Sequence, residues 1–302
     1  MYIIIHSGVH FESIPFPGKL NDERGYQVLN NVYQAIKDVY DFKVYTIDSL
    51  STQTKGALFE KHLISAVLTG QDRFGAVILN KDESLSIMVN EEDHIREQCI
   101  LKGFNLGEAW EKISKIDNLI LDKNKIAYSP KLGFLTACVT NLGTGLRASV
   151  MMFLPGLSML NKIDELTRVV KSLGQTIRGS YGEGSEGEAY MYQVSNEITL
   201  GKTEQQIIDE VNKTILKICA LEIDARKSLY DANKVTINDM CMRAYGVLSS
   251  SYIMPKNEFM SLIGKVKLGQ SLGIINLKNN SVIDDLMHVC QDFSLRELSG
   301  KK

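Results

Sequence analysis

Within one short run, Asn90-Glu91-Glu92-Asp93-His94-Ile95-Arg96, the chain sets three consecutive carboxylates beside a histidine and an arginine. Carboxylates accept protons and grip cations, and arginine neutralises phosphate, so this run has the parts of an acid–base or phosphoryl-transfer site. It follows the apolar segment Leu85-Ser86-Ile87-Met88-Val89, which would deliver the charges on a rigid strand. A solvated acidic turn is the plain alternative for this run taken alone. Two later segments add to it. Leu132–Val150 holds Cys138 ahead of Gly143, Gly145 and Arg147, and Arg178-Gly179-Ser180-Tyr181-Gly182-Glu183-Gly184-Ser185-Glu186 is a glycine-rich loop carrying more acids.

These groups need supports, and residues 1 to 200 read as mixed α and β. Short β-branched runs predict strands at Tyr2–His6, Phe42–Ile47, Gly75–Asn80, Leu85–Asn90, Ala148–Leu154 and Ala189–Val194. Asn21 is placed to cap a helix with Val28, Leu29, Val32 and Ile36 on one face. Another helix begins near Leu106, and a third covers Lys162–Leu173 with Gly174 as its stop. Beyond residue 200 the pattern is helical throughout. Thr203 and Gln206 form a capping box opening a long helix striped by Ile207, Ile208, Val211, Ile215, Ile218 and Cys219. Thr236 with Asp239, Pro255 as a first helical residue, and Ser281 with Asp284 mark later starts. The functional boundary is placed near 225, giving a catalytic domain 1–225 and a helical domain 226–302, with no Gly-, Pro- or Ser-rich linker between them.

A chain of 302 residues, 44% hydrophobic and 23% charged, has ample core for one large or two modest domains. Its net charge of −2 provides no basic footprint for nucleic acid. Cys99, Cys138, Cys219, Cys241 and Cys290 are scattered, with no C-x-x-C pair or Cys/His cluster, so neither a disulfide framework nor a zinc site is expected. Tyr2-Ile3-Ile4-Ile5 is too short for a signal peptide, and no apolar stretch would span a bilayer, so a cytoplasmic location is expected. Gly182–Gly187 spells G-x-G-x-x-G, but a strand-like run follows it where a dinucleotide fold needs a helix. Gly201-Lys202-Thr203 lacks the upstream glycine of a phosphate loop. His62 and His288 sit in helical patterns and are assigned no role.

Taken together, the three charged segments resemble the ATP:guanido phosphotransferase family, which includes arginine and creatine kinases, and within it the bacterial protein-arginine kinases. The resemblance implies an α+β fold, an antiparallel β-sheet flanked by helices followed by a helical C-terminal domain. It implies ATP and Mg2+ as cofactors, arginine-bearing protein substrates, and an ATP site built from arginines. A guanidinium holds its proton to pH values above about 12, so it is a poor nucleophile until a carboxylate takes charge from it. Glu92 matches the family's catalytic glutamate, Arg96 and Arg147 match phosphate-binding arginines, and Cys138 matches a cysteine beside the substrate guanidinium. The loop supplies the other carboxylate, Glu186 by alignment with Glu183 a near rival, and Arg178 with Tyr181 fits the bacterial version of this loop. Taken singly, Cys138 reads as a core cysteine and Arg147 as a surface ion pair, while Asp93 and His94 can simply orient the motif backbone.

The chain departs from the family in places. The family carries Ser-x-Arg-x-Arg where this sequence has His6-Ser7-Gly8-Val9-His10, so Gly8 and His10 replace two phosphate-binding arginines. Two absent charges are expected to cost several kcal/mol of phosphate binding, with His10 a partial substitute when protonated. Val139 replaces the proline usual after the cysteine, and the last residues lack the Arg-Asp-x-x-Arg-Ala element that reads phosphoarginine, so recognition through that pocket is not expected. The leading expectation is ATP-dependent phosphorylation of arginine in proteins. A catalytically impaired pseudokinase acting as regulator or scaffold is the alternative, and a free-arginine kinase is disfavoured because the family's small helical leading domain has no counterpart. The resemblance also implies a homodimer, an activator protein, and partnership with protease–chaperone machinery in stress response, with no membrane or nucleic-acid partner.

Overall fold

The computed structural model describes residues 2–179, 187–277, 279 and 281–300. In chain order the strands are β1 Tyr2–Val9, β2 Phe42–Thr46, β3 Ala76–Asn80, β4 Leu85–Val89, β5 Ile95–Lys102, β6 Tyr128–Ser129, β7 Gly133–Phe134, β8 Arg147–Phe153, β9 Gln175–Gly179 and β10 Met191–Asn196. The helices are α1 Asp22–Ile36, α2 Thr52–Glu60, α3 Ala66–Gly70, α4 Leu106–Lys123, α5 Pro155–Met159, α6 Ile163–Ser172, α7 Glu204–Ser250, α8 Lys256–Ser271, α9 Val282–Val289 and α10 Asp292–Ser299. The chain divides into two compact units, residues 1–150 with 195–212 and residues 151–194 with 213–302. The expected fold class, an antiparallel sheet flanked by helices with a helical C-terminal region, is the one observed.

In the first unit the strands run in the order β2-β3-β4-β5-β1-β8. β2 to β5 form an antiparallel meander, and β1 returns antiparallel to β5 with Gly8 opposite Arg96. Alternation along β5 sends Arg96 and Gln98 to one face and Ile95, Glu97 and Cys99 to the other. Helix α4 packs on β1 and β5 through Leu106, Ala109, Ile113, Ile116 and Ile120, a spacing of three and four residues that lines one helical face. Helix α1 buries Val28, Leu29, Val32 and Ile36 as expected, and Asn21 Oδ1 caps it by accepting the Arg24 N–H at 3.0 Å. A separate cluster of Ile47, Leu58, Leu63, Leu68, Val77, Leu79 and Met88 seats α2 and α3 against β3 and β4.

In the second unit the strand order is β8-β10-β9, and the core is helical, built from Met191, Leu229, Ile237, Cys241, Met260, Ile263, Val266 and Ile283. The Glu222 carboxylate accepts the Gly156 and Leu157 N–H groups at 2.8 and 2.9 Å, neutralising the start of α5. Arg226 pairs with Glu222 at 2.5 Å and donates to the Phe153 carbonyl at 2.8 Å, which ties α7 to the end of β8. Gly264 lets α8 lie against the backbone of Ala189, where a Cβ would stand 2.9 Å from its Cα.

Several local expectations need adjustment. The two strands β5 and β9 carry too many polar residues to be recognised as strands, because β5 bears site residues on one face and a buried acid on the other. Thr203 and Gln206 do form the capping box, with Gln206 accepting the Thr203 N–H at 2.9 Å and Thr203 Oγ1 accepting the Gln206 N–H at 3.3 Å. The helix it opens breaks at Asn233 (φ −135°, ψ 34°) and a second helical stretch runs on to Ser250, so the new start falls just ahead of Thr236. Pro255 occupies the capping position, one residue before the helix. Ser281 precedes α9, but its hydroxyl bonds Asn279 and Asp285 rather than the Asp284 N–H, and α10 follows as a separate helix.

Glu97 is fully buried between β5 and α4, and neither carboxyl oxygen has a hydrogen-bond partner. Burial, with the neighbouring Asp117 carboxyl, holds its pKa well above the ordinary value, and Asp117 is itself pushed up to about 6 by burial and by Glu204. A carboxyl with a raised pKa in the folded state holds its proton more tightly there. Its contribution to stability is therefore full at low pH and is lost as pH rises through the folded pKa. Glu97→Gln, which cannot ionise, is expected to raise Tm by several degrees at about pH 8 and by less at about pH 5, read by calorimetry.

Candidate active site

The charged run forms the turn between β4 and β5. Asn90 opens it in the left-handed region (φ 57°), a conformation asparagine tolerates better than most side chains, and its N–H donates to the His94 carbonyl at 2.9 Å. The turn is held from outside as well. Gln71 donates to the Asn90 carbonyl at 3.1 Å, Asn90 Nδ2 donates to the Gly25 carbonyl at 3.2 Å, and Arg73 donates to the Glu91 carbonyl.

The three acids have different fates. Glu91, 2% exposed, accepts from Ser65 Oγ at 2.5 Å, from Arg96 at 3.1 Å, and from the Glu92 N–H at 3.0 Å. Asp93, 4% exposed, accepts from the Ala137 N–H at 2.7 Å and pairs with His10 Nε2 at 2.6 Å. Glu92 alone is turned outward. Partial burial, then the Asp93 and Glu91 carboxylates, raise its pKa above the ordinary glutamate value, with Arg96 acting in the opposite direction. Of the three, Glu92 is the carboxylate available to an incoming group and the one biased toward taking a proton.

His94 is buried, with Nδ1 accepting the Phe11 N–H at 3.1 Å and Nε2–H donating to the Pro15 carbonyl at 2.7 Å. Those bonds fix one neutral tautomer, and burial with the adjacent His10 lowers its pKa to about 4. His94 thus fastens the chain after β1 to the turn. His10 lies 2% exposed between Phe16 and His94, with ring centroids 4.0 and 4.5 Å away.

Cys138 is part-buried on the loop after β7, one residue beyond the Ala137 N–H that Asp93 holds, and its Sγ is 3.0 Å from Thr140 Oγ1. Glu92 and Cys138 therefore flank, each by one residue, a single short hydrogen bond. Thr199 backs this loop, its Oγ1 2.6 Å from the Leu142 carbonyl and 3.0 Å from that of Thr140, while the Thr144 N–H donates to the Thr199 carbonyl at 3.3 Å. Gly143 meets the same segment so closely that a Cβ would be 2.4 Å from the Thr199 carbonyl oxygen.

Arg96 and Arg147 stand on strands either side of β1. Arg96 is opposite Gly8, and Gly145, two residues before Arg147, approaches the Gly8 backbone so closely that a Cβ would lie 2.7 Å from its carbonyl oxygen. Arg147 Nε and Nη2 donate to Ser195 Oγ at 3.2 and 3.0 Å. Arg96 Nη1 pairs with Glu91, while its Nε is buried with no acceptor. Two strand-mounted guanidinium groups suit a polyanion such as a nucleotide phosphate chain. Among the described residues no group of three His, Cys, Asp or Glu could hold a metal ion.

Glu92, His10, Arg96, Cys138 and Arg147 thus all belong to the first unit. Arg178 is on β9 in the second, where it lines a cavity of about 500 Å3 with Asp164, Tyr190 and Tyr192. Glu183, Glu186 and Tyr181 lie outside the described residues. Ser65, Arg73, Ala137 and Thr199, which set the site's shape, were not found from sequence. Their types are ordinary, Ala137 acts only through its backbone N–H, and only Ser65 carried a local signal, that of a helix cap.

Residues 25–225 match the family described as ATP:guanido phosphotransferase, C-terminal catalytic domain, and residues 234–302 match the protein-arginine kinase McsB C-terminal domain. The protein-arginine kinase of Bacillus velezensis is 38% identical over 296 residues, covering 96% of this chain and 81% of that protein. That of Caldanaerobacter subterraneus subsp. tengcongensis is 39% identical over 294 residues, covering 96% of this chain and 87% of the relative. Among solved structures, a lombricine kinase superposes with a TM-score of 0.65 at 23% identity, over 73% of this chain and 65% of that one. The duplicated taurocyamine kinase of Schistosoma mansoni, solved with transition-state-analogue components, gives a TM-score of 0.67 at 23% identity over 80% of this chain and 36% of its own. At that identity the likeness to both structures is one of fold.

Proposed function

The chain belongs to the ATP:guanido phosphotransferase family, and from that membership we propose that it transfers the γ-phosphoryl group of ATP to arginine side chains of proteins. The observation that carries the reading is the outward carboxylate of Glu92 in a turn whose other two acids are bound inward. The relatives at 38% and 39% identity, themselves named protein-arginine kinases, support a protein substrate.

In this reading Glu92 holds the target guanidinium and accepts a proton from the attacking nitrogen as the N–P bond forms. The bond from the γ-phosphorus to its bridging oxygen breaks, and ADP leaves with that electron pair. Arg96 and Arg147 neutralise the phosphate chain from their strands, a role the family resemblance also assigns to Arg178. Mg2+ bound with the nucleotide would add positive charge to that of the arginines at the phosphates. Cys138 lies at the guanidinium end, and Glu186, or Glu183 three residues earlier, supplies the second carboxylate. The phosphotransfer machinery falls in 1–225 and the helical part in 226–302, in a cytoplasmic, dimeric protein of the stress response. The pseudokinase alternative rests on Gly8, His10 and the missing Arg-Asp-x-x-Arg-Ala element, and the assay below separates it from an active enzyme.

Incubation with labelled MgATP and an arginine-rich unfolded protein is expected to give acid-labile phosphate. Glu92→Ala should reduce the rate by about 10²- to 10⁴-fold, the usual worth of a general base. Equal, background-level label in wild type and variant would sink the reading. Because the base must be ionised and its pKa is raised, kcat/KM is expected to fall with decreasing pH along a limb lying above the ordinary glutamate range. Arg96→Ala and Arg147→Ala should each raise KM for MgATP by about 10- to 100-fold, as loss of a charged hydrogen bond implies.

A further inference from the structure

Gly8 and His10 occupy the segment where arginines were expected, which raises what His10 does instead. Its imidazole is 2% exposed, boxed edge-on by Phe16 at 4.0 Å and His94 at 4.5 Å between ring centroids. Its Nε2 is spent on Asp93 Oδ1 at 2.6 Å. A ring enclosed in this way is not presented to a phosphate chain. The same Asp93 oxygen accepts the Ala137 N–H at 2.7 Å, so His10, Asp93 and the Cys138 segment form one chain of hydrogen bonds inside the first unit. Gly8 belongs to the same arrangement. A Cβ there would stand 2.9 Å from Asp93 Oδ2, closer than side-chain carbons come, so the missing side chain at position 8 is what gives the Asp93 carboxylate its place.

We propose that His10 is a positioning residue for phosphoryl transfer: through Asp93 it holds the Cys138 segment beside Glu92, and it does not contact the nucleotide. The proposal rests on the function put forward above, since it assigns the dyad to the guanidinium end of that site. The departure at positions 8 and 10 then exchanges two phosphate contacts for a clamp on the acceptor side. Two charged or polar partners meeting on one buried carboxylate oxygen fix its rotamer far more tightly than either alone. A displacement of about 1 Å in such a support is enough to slow a transfer reaction many-fold.

The test uses the full chain with His10→Leu, which removes the bond, and His10→Gln, whose terminal amide can replace Nε2–H. The first readout needs no activity: alkylation of Cys138 by iodoacetamide, followed by peptide mass spectrometry with Cys219 and Cys290 as internal references. His10→Leu is expected to change the Cys138 rate by about fivefold or more, as release of a local segment does, with the reference thiols unchanged and His10→Gln near wild type. The second readout is steady-state kinetics, where His10→Leu should lower kcat by about tenfold while KM for MgATP stays within about twofold. An unchanged Cys138 rate overturns the clamp. A raised KM for MgATP at constant kcat also overturns it, making His10 a nucleotide contact. If His10→Leu exposes the buried Cys99 and Cys241, and so unfolds, the comparison passes to His10→Asn, which stays polar but is too short to reach Asp93. There a wild-type Cys138 rate overturns the proposal. Absence of phosphoryl transfer in the wild type would defeat the functional reading alone, because the alkylation result still decides the clamp.

Discussion

Polar groups taken out of water must find partners, and the turn between β4 and β5 places Asn90, Glu91, Asp93 and His94 almost wholly inside the protein. Each is met by a specific group brought from elsewhere in the chain: Gly25, Ser65, Gln71, Arg73, Ala137, His10, Phe11 and Pro15. Satisfying this one turn fixes where α3 starts, where β1 ends and where the cysteine loop sits. A looser turn would leave buried acids unpaired, at about 1–3 kcal/mol or more for each. The first unit is organised around meeting that demand.

The same constraint produces the chemistry. With Glu91 and Asp93 committed to internal bonds, their negative charge remains beside Glu92 but their oxygens are occupied. Glu92 is therefore the outward member of a dense acidic turn, and partial burial together with Asp93 and Glu91 raises its pKa, which suits the base proposed for it. Arg96 tempers this from the next strand while keeping its Nε without an acceptor. The two guanidinium groups proposed for the phosphates are mounted on β5 and β8, where other nucleotide sites use backbone N–H groups at a helix start.

The second unit meets a related demand with different means. There the buried N–H groups at the start of α5 are met by Glu222, and Arg226 balances that carboxylate and reaches the end of β8. Both acids, Glu91 and Glu222, accept bonds from backbone or neighbouring side chains and are paired with an arginine. Glu97 differs: it is fully buried, neither carboxyl oxygen has a hydrogen-bond partner among the described residues, and burial raises its pKa well above the ordinary value.

Much of this was legible in the sequence because it is local. The period of Val28, Leu29, Val32 and Ile36, the Asn21 cap and the Thr203–Gln206 box each depend on residues a few positions apart, and they form as expected. The charged runs named the candidate residues and the family for the same reason, since their types and spacing are written consecutively. What the sequence did not contain was the division of labour among Glu91, Glu92 and Asp93, three acids with the same local grammar. Their partners come from as far as 83 positions away, as His10 does for Asp93. Nor could it identify β5 and β9, because Arg96, Glu97 and Gln98 in one and Gln175, Thr176 and Arg178 in the other interrupt the apolar alternation. Hydrogen bonds and burial are set by distance in space. Only the tertiary structure decided which acid faces outward and which histidine became a support.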